Sequence, residues 1–311
     1  MPTPQSFAQN NTGKKLTHLP ARLLLTLTAV TTLFFCSEVS ANASADDVHE
    51  MADICMQANR ILKDYALVGM GVEYHDPAKD LKENLEHMEE EIEDLESHKM
   101  NKELAAEIIE IERSWHAIKP EFEKKPDKTK MHDLRLMVDK FTVRCEKVAE
   151  DIAKDTGIKG EHDVVLVAEL GMESQRLAAL YLMKAWGVAD PNYEEEVNEV
   201  VEQTEKIYKE LLKADEKLVS KEIKEKLKKV EKDFIAFSVM ATSDSGRFMP
   251  SAAEKMASKI FKELRTILDM EQKLVEGTIS GYFTPVADEK TAGEIFRAIT
   301  GIVHVEGRIG S

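Results

Sequence analysis

A 17-residue segment occurs twice in this chain, and no single-copy fold accounts for it. Residues 56–72 (MQANRILKDYALVGMGV) and 172–188 (MESQRLAALYLMKAWGV) align at an offset of 116 residues. They share Met56/Met172, Arg60/Arg176, Tyr65/Tyr181, Gly71/Gly187 and Val72/Val188. Each copy runs into an Asp-Pro step, Asp76-Pro77 or Asp190-Pro191, followed by a long charged stretch. Recurrence of one helix-sized segment with its stop signal implies a repeated structural unit.

Periodicity supplies the unit. Met51, Ile54, Ala58, Ile61, Tyr65, Val68 and Val72 alternate steps of three and four, the stripe of an amphipathic helix. Leu81, Leu85, Met88, Ile92 and Leu95 make a second stripe, and further ones run over about 102–122 and 130–154. The series then restarts, with helices expected over 161–188, 192–214, 219–240 and 251–276. Trp115 and Phe234 fall at matching places in the third helix of each set, offset by 119, so three residues have been gained. The expected class is all-α: two tandem up-down-up-down four-helix bundles over 46–156 and 157–277, then a tail over 278–311. Two arrangements are open: the units stand end to end, elongated, or helix one pairs with helix five inside the chain. The short connection over 155–161 favours the first. Ala292, Ile295, Phe296, Ile299 and Ile302 give the tail one short amphipathic helix.

Lys14, Lys15 and Arg22 precede the apolar run 23–36, and small residues follow to Ala43-Ser44-Ala45. This is the pattern of a cleaved export signal over 1–45, cut after Ala41 or Ala45. Fourteen residues of helix rise about 21 Å, too short for a hydrocarbon core of about 30 Å. The expected location is periplasmic, with no membrane span in the mature chain. The whole chain carries a net charge of −16. From residue 46 onward 39 positive and 57 negative side chains remain, which disfavours nucleic acid as a partner.

The polar residues embedded in the repeated helix carry a resemblance. Ser174-Gln175-Arg176 with Gly187, and more loosely Gln57, Asn59-Arg60 with Gly71, are similar to the opening helix of PilJ-type sensor domains. These are the N-terminal periplasmic domains of type IV pilus methyl-accepting transducers, related to nitrate-sensing domains. The resemblance spans about residues 50–276 as two tandem copies, its specific motif confined to two helices. The family's upstream arginine is replaced by Cys55-Met56-Gln57 and Gly171-Met172-Glu173. The resemblance implies a small ligand, an oxyanion in the nitrate-sensing relatives, held between helices and reported through a membrane-bound transducer. The ligand-binding set it implies is Arg60, Arg176, Gln57, Asn59, Gln175 and Ser174. A guanidinium suits an oxyanion because it is always charged and presents a planar donor fork. The plainer alternative is that both arginines reach water or pair with acidic neighbours such as Asp64 and Glu173.

Cys55 and Cys145 fall near the start of helix one and the end of helix four, ends that adjoin in an antiparallel bundle. A disulfide there would close a loop of about 91 residues; two buried thiols is the alternative. No Glu-x-x-His pair suits a di-iron site, and no CxxC, G-x-S-x-G or P-loop is present. The reading is a non-enzymatic protein without metal or cofactor. It senses a ligand or, alternatively, serves as an interaction rod of the cell envelope.

Overall fold

A computed structural model describes residues 42–243 and 246–283, with side chains described through 277. Among the described residues there are eight α-helices and no strand. They are α1 (Ala45–Met70), α2 (Pro77–Ser97), α3 (Lys102–Phe122), α4 (Met131–Thr156), α5 (Glu161–Trp186), α6 (Tyr193–Lys213), α7 (Lys221–Thr242) and α8 (Pro250–Phe283). A single 3-10 turn, Lys128–Lys130, leads into α4. The all-α expectation is met, and no described helix is long and apolar enough to cross a membrane.

Local chemistry sets the ends. Ser44 and Asp47 form a capping box at the start of α1. Asp76 caps α2 ahead of Pro77, which sits in the first turn where its missing N–H is not needed. Gly71 and Gly187 end α1 and α5 at φ 69° and 81°, left-handed values that cost a glycine little. The other repeated residues also have structural jobs. The Tyr181 hydroxyl accepts from the Met249 N–H at 2.8 Å, and the Tyr65 hydroxyl meets the Asp127 backbone. Each tyrosine thus ties its helix to the loop before the fourth helix of its own set.

The most extensive helix pairing is α1 with α5. Met56 lies on Gly171, and Trp186 covers Gly69 so closely that a Cβ at either glycine would collide with the covering side chain. Those two contacts fix α1 and α5 as parallel and nearly in register, because Met56 and Gly69 meet residues 115 and 117 further on. The end-to-end arrangement favoured by the short α4–α5 connection is therefore corrected: the two sets lie side by side along their first helices. The connection turns instead of continuing, with Gly157 and Gly160 both at positive φ. Around this pair, α1 also packs on α2 and α4, α5 on α6 and α8, and α4 on α5. One core runs through both sets, from Trp115, Phe122 and Phe141 across to Tyr181, Phe234 and Phe237.

Two boundaries move. Ala43 donates its N–H to Asp155 at 2.8 Å, and Ser44 caps α1, so residues 43–45 belong to the folded body. A leader cut after Ala45 would remove that cap, whereas a cut after Ala41 keeps it. Helix α8 continues through Gly277 to Phe283, past the expected start of the tail. The rest of the expected leader and the stretch 292–302 lie outside the described residues.

Candidate functional site

Gln57, Asn59, Ser174 and Gln175 are all 0% exposed. Seven-residue spacing puts Asn59 on the stripe of Ala52 and Ala66, between the Met56 and Gly69 positions that touch α5. Gln175, 116 residues on, holds the matching place on α5. Asn59 and Gln175 thus stand at matching places midway along the central helix pair, with alanine or leucine one heptad either side (Ala52, Ala66, Ala168, Leu182).

The buried amides are poorly satisfied. The Gln175 Nε2 donates to the Ala257 carbonyl at 3.0 Å, and Ser174 Oγ donates to the Gly171 carbonyl at 2.7 Å. The Gln57 Oε1 accepts from Arg60 at 3.5 Å. Gln57 Nε2, both polar atoms of Asn59 and Gln175 Oε1 have no hydrogen-bond partner. A buried polar group left unpaired costs about 1–3 kcal/mol. Four such atoms lie on the two central helices, two of them on Asn59.

Arg60 reaches one of these amides, Gln57, and Arg176 turns away from them. Arg60 and Arg176 stand one residue past Asn59 and Gln175, a step of about 100° around the helix, so they leave the α1–α5 face. Arg60 lies over the Phe261 ring of α8, 4.9 Å from its centroid. Arg176 turns towards α4 and α6, with Asp139 at 3.8 Å, Glu173 at 3.7 Å and Glu199 at 3.6 Å. Burial works against the Arg176 charge, but Glu173, Asp139 and Glu199 outweigh it and hold it on. Burial pushes the Glu173 carboxyl up to about 8, against the pull of Arg176. The six residues expected as one ligand-binding set therefore divide into four buried neutral side chains, of which Gln57 is bonded to Arg60, and two charged groups facing different helices.

Two buried cations went unnoticed in the sequence. Lys63 donates to Glu254 Oε2 at 2.5 Å and lies 3.0 Å from Asp64 Oδ1. Arg135 is bound by Asp139 at 2.5 Å, Glu196 at 2.6 Å and Asp190 at 3.3 Å. The signal was present: Arg135 shares its heptad stripe with Val138, Thr142, Cys145, Ala149 and Ile152, and Lys63 stands seven residues after Met56.

Cys55 and Cys145 meet across α1 and α4 as expected, but as free thiols, both buried. Burial and a hydrogen bond with Cys145 push the Cys55 thiol well up. Away from the helix pair, the largest cavity described is an open groove of about 910 Å³ between α3 and α4. Leu136 and Val143 give it an apolar floor, and Lys140, Arg144 and Lys147 line its side. No protein-family model, curated protein or solved structure matches the chain.

Proposed function

We propose that this chain is an exported, non-enzymatic sensory protein that binds one small polar molecule between α1 and α5 and reports it to a membrane-bound partner. The single observation that carries the reading is the set of fully buried, partly unsatisfied amides, Asn59 and Gln175 at matching places of α1 and α5 with Gln57 beside them in sequence. In this reading the chain is two tandem four-helix PilJ-like units, α1–α4 and α5–α8. Their opening helices pair as those of two subunits do in the related sensors. The helix boundaries support it: Ala45, Met70, Pro77 and Ser97 stand 116 residues before Glu161, Trp186, Tyr193 and Lys213.

The ligand class shifts from that of the nitrate-sensing relatives. The unpartnered atoms belong to neutral amides, while Arg176 is already surrounded by carboxylates and Arg60 is held by Gln57 and the Phe261 ring. A neutral molecule with amide or hydroxyl groups fits that lining better than an oxyanion.

A thermal-shift screen of the chain from residue 42 tests this, with small amides, polyols, amino acids and oxyanions as probes. A ligand at 100 times its Kd adds about 2.7 kcal/mol of stability. Asn59→Leu is expected to stabilise the unliganded protein by about 1–3 kcal/mol, since it removes two unpaired polar atoms. The same change is expected to abolish the ligand's shift. A flat screen, or a shift that Asn59→Leu leaves intact, rejects the reading and leaves the amides as residues that set helix register.

The second reading, a docking protein of the envelope, is favoured by the α3–α4 groove, where Val143 is 65% exposed. It predicts that Val143→Glu abolishes partner capture while Asn59→Leu does not. Export has its own test. In an oxidising compartment Cys55 and Cys145 would be joined, so protein recovered from the envelope should resist alkylation after unfolding until it is reduced. Free alkylation at both positions would count against that location.

A further inference from the structure

At the N-terminal end of α1, Asp47, Glu50 and His98 each present one ligating atom within 4.8 Å of the others. We propose that this triad is a site for a divalent transition-metal ion of the Zn²⁺ or Mn²⁺ kind, clipping the start of α1 to the end of α2.

The donors are held by independent features of the chain. Asp47 Oδ2 accepts from the Ser44 N–H at 2.6 Å and the Ser44 hydroxyl at 2.8 Å, which fixes the carboxylate as part of the α1 cap. Its other oxygen, Oδ1, is left facing His98 Nδ1 at 2.7 Å. His98 follows the last residue of α2 in extended conformation, its backbone N–H tied to the Leu95 carbonyl at 3.2 Å. Glu50 stands three residues after Asp47, hence on the same side of α1. Its Oε2 lies 3.5 Å from His98 Nδ1, is buried and has no hydrogen-bond partner. Among the described residues this is the one set of three or more His, Cys, Asp or Glu side chains that closes in this way.

The spacing suits a small ion. Tetrahedral zinc with ligands at about 2.0–2.1 Å sets its donor atoms about 3.3–3.4 Å apart. Glu50 and His98 are already near that separation, and the Asp47–His98 pair has to open by roughly 0.6 Å. It would open when the proton shared by Nδ1 and Oδ1 is replaced by the ion and passes to the buffer. One imidazole and two carboxylates select a first-row transition metal over calcium or magnesium, which prefer oxygen donors alone. Water would fill the remaining positions. A protonated His98 paired with Asp47 and Glu50 is the competing arrangement. The imidazole sets the triad apart from the plain acidic faces of α2 and α6.

The test is calorimetric titration of the chelator-treated full chain with Zn²⁺, Mn²⁺ and Mg²⁺ in two buffers of different ionisation enthalpy. One equivalent of Zn²⁺ or Mn²⁺ is expected to bind with release of a proton, and Mg²⁺ at least tenfold more weakly. His98→Ala and Glu50→Gln, at partly exposed positions, are each expected to weaken binding at least tenfold, with an unchanged helical circular dichroism spectrum showing that the fold is kept. No binding of either transition metal would overturn the proposal. So would Zn²⁺ affinity unchanged in His98→Ala, which would assign the ion to another of the chain's nine histidines.

Discussion

Replacing Lys63 by methionine is expected to destabilise the protein by about 3–5 kcal/mol, the usual cost of stranding a buried charge. Lys63 sits on α1 with its ammonium fully enclosed, bonded to Glu254 on α8 and to Asp64 beside it. Burial works against the lysine's charge, but the two carboxylates outweigh burial and raise its pKa. Glu254 is bonded in turn to Ser258, and Asp64 accepts from Asn84 of α2 at 2.6 Å. One cation thereby joins α1, α2 and α8 across the two sets of helices. With Lys63 gone, Glu254 and Asp64 face each other in a site closed to water, and only Arg60 acts on Asp64 as an opposite charge. Lys63→Met/Glu254→Met, in contrast, leaves only Asp64, still bonded to Asn84, and is expected to recover most of the loss. Urea denaturation at constant m-value gives both numbers. A single variant within 1 kcal/mol of the parent, or a double variant no better than the single, would show that the network contributes little.

That network also shows where sequence reading stopped. The helices were legible because their signals are local: apolar residues three and four apart, Asp76-Pro77, and Gly71 and Gly187 at the stops. The starts of α3 and α7, 119 residues apart, likewise agree with the three-residue gain inferred from Trp115 and Phe234. The packing of α1 on α5 depended on something less local, the two glycines at 69 and 171. These let the helices approach, and the side chains that cover them, Trp186 and Met56, come from the other helix of the pair. The candidate site was half legible. The repeat marks one turn of each helix where polar residues are buried, and Arg60 and Arg176 are its most conspicuous members because they are charged. A one-residue step around the helix turns them towards different helices and leaves Asn59 and Gln175 on the shared face. Lys63 and Arg135 were missed for a related reason: a cation in an apolar stripe is ordinarily assigned to the stripe's edge. Only the partner carboxylates, which come from other helices, show it to be inside.

The second large effect is a loss of stability as pH rises from 5 to 8. Burial pushes the carboxyl of Glu271 up to about 8 from an ordinary value of 4.5, and nearby Asp163 adds to it. Neither Glu271 oxygen has a hydrogen-bond partner, so nothing in the fold favours the ionised form. The folded state then holds a proton that the unfolded chain releases above pH 4.5. Stability is therefore greatest below that value and is lost progressively as pH rises through about 8. Between pH 5 and 8 one such group accounts for roughly 3 kcal/mol. Glu91, Glu161 and Glu173 are also raised to about 8, chiefly by burial, and act in the same direction. Carboxylates with lowered values, such as Glu89 and Asp151, add their pH dependence below this window. Glu271→Gln keeps the shape and removes the titration. It is expected to match the parent at pH 5 and to be more stable by about 3 kcal/mol at pH 8. Urea denaturation of both proteins at pH 5.0, 6.5 and 8.0 is the measurement. Curves that stay parallel would mean that Glu271 ionises in the folded protein at little cost, through water that reaches it from the end of the helices. The pH slope would then belong to Glu91, Glu161 and Glu173.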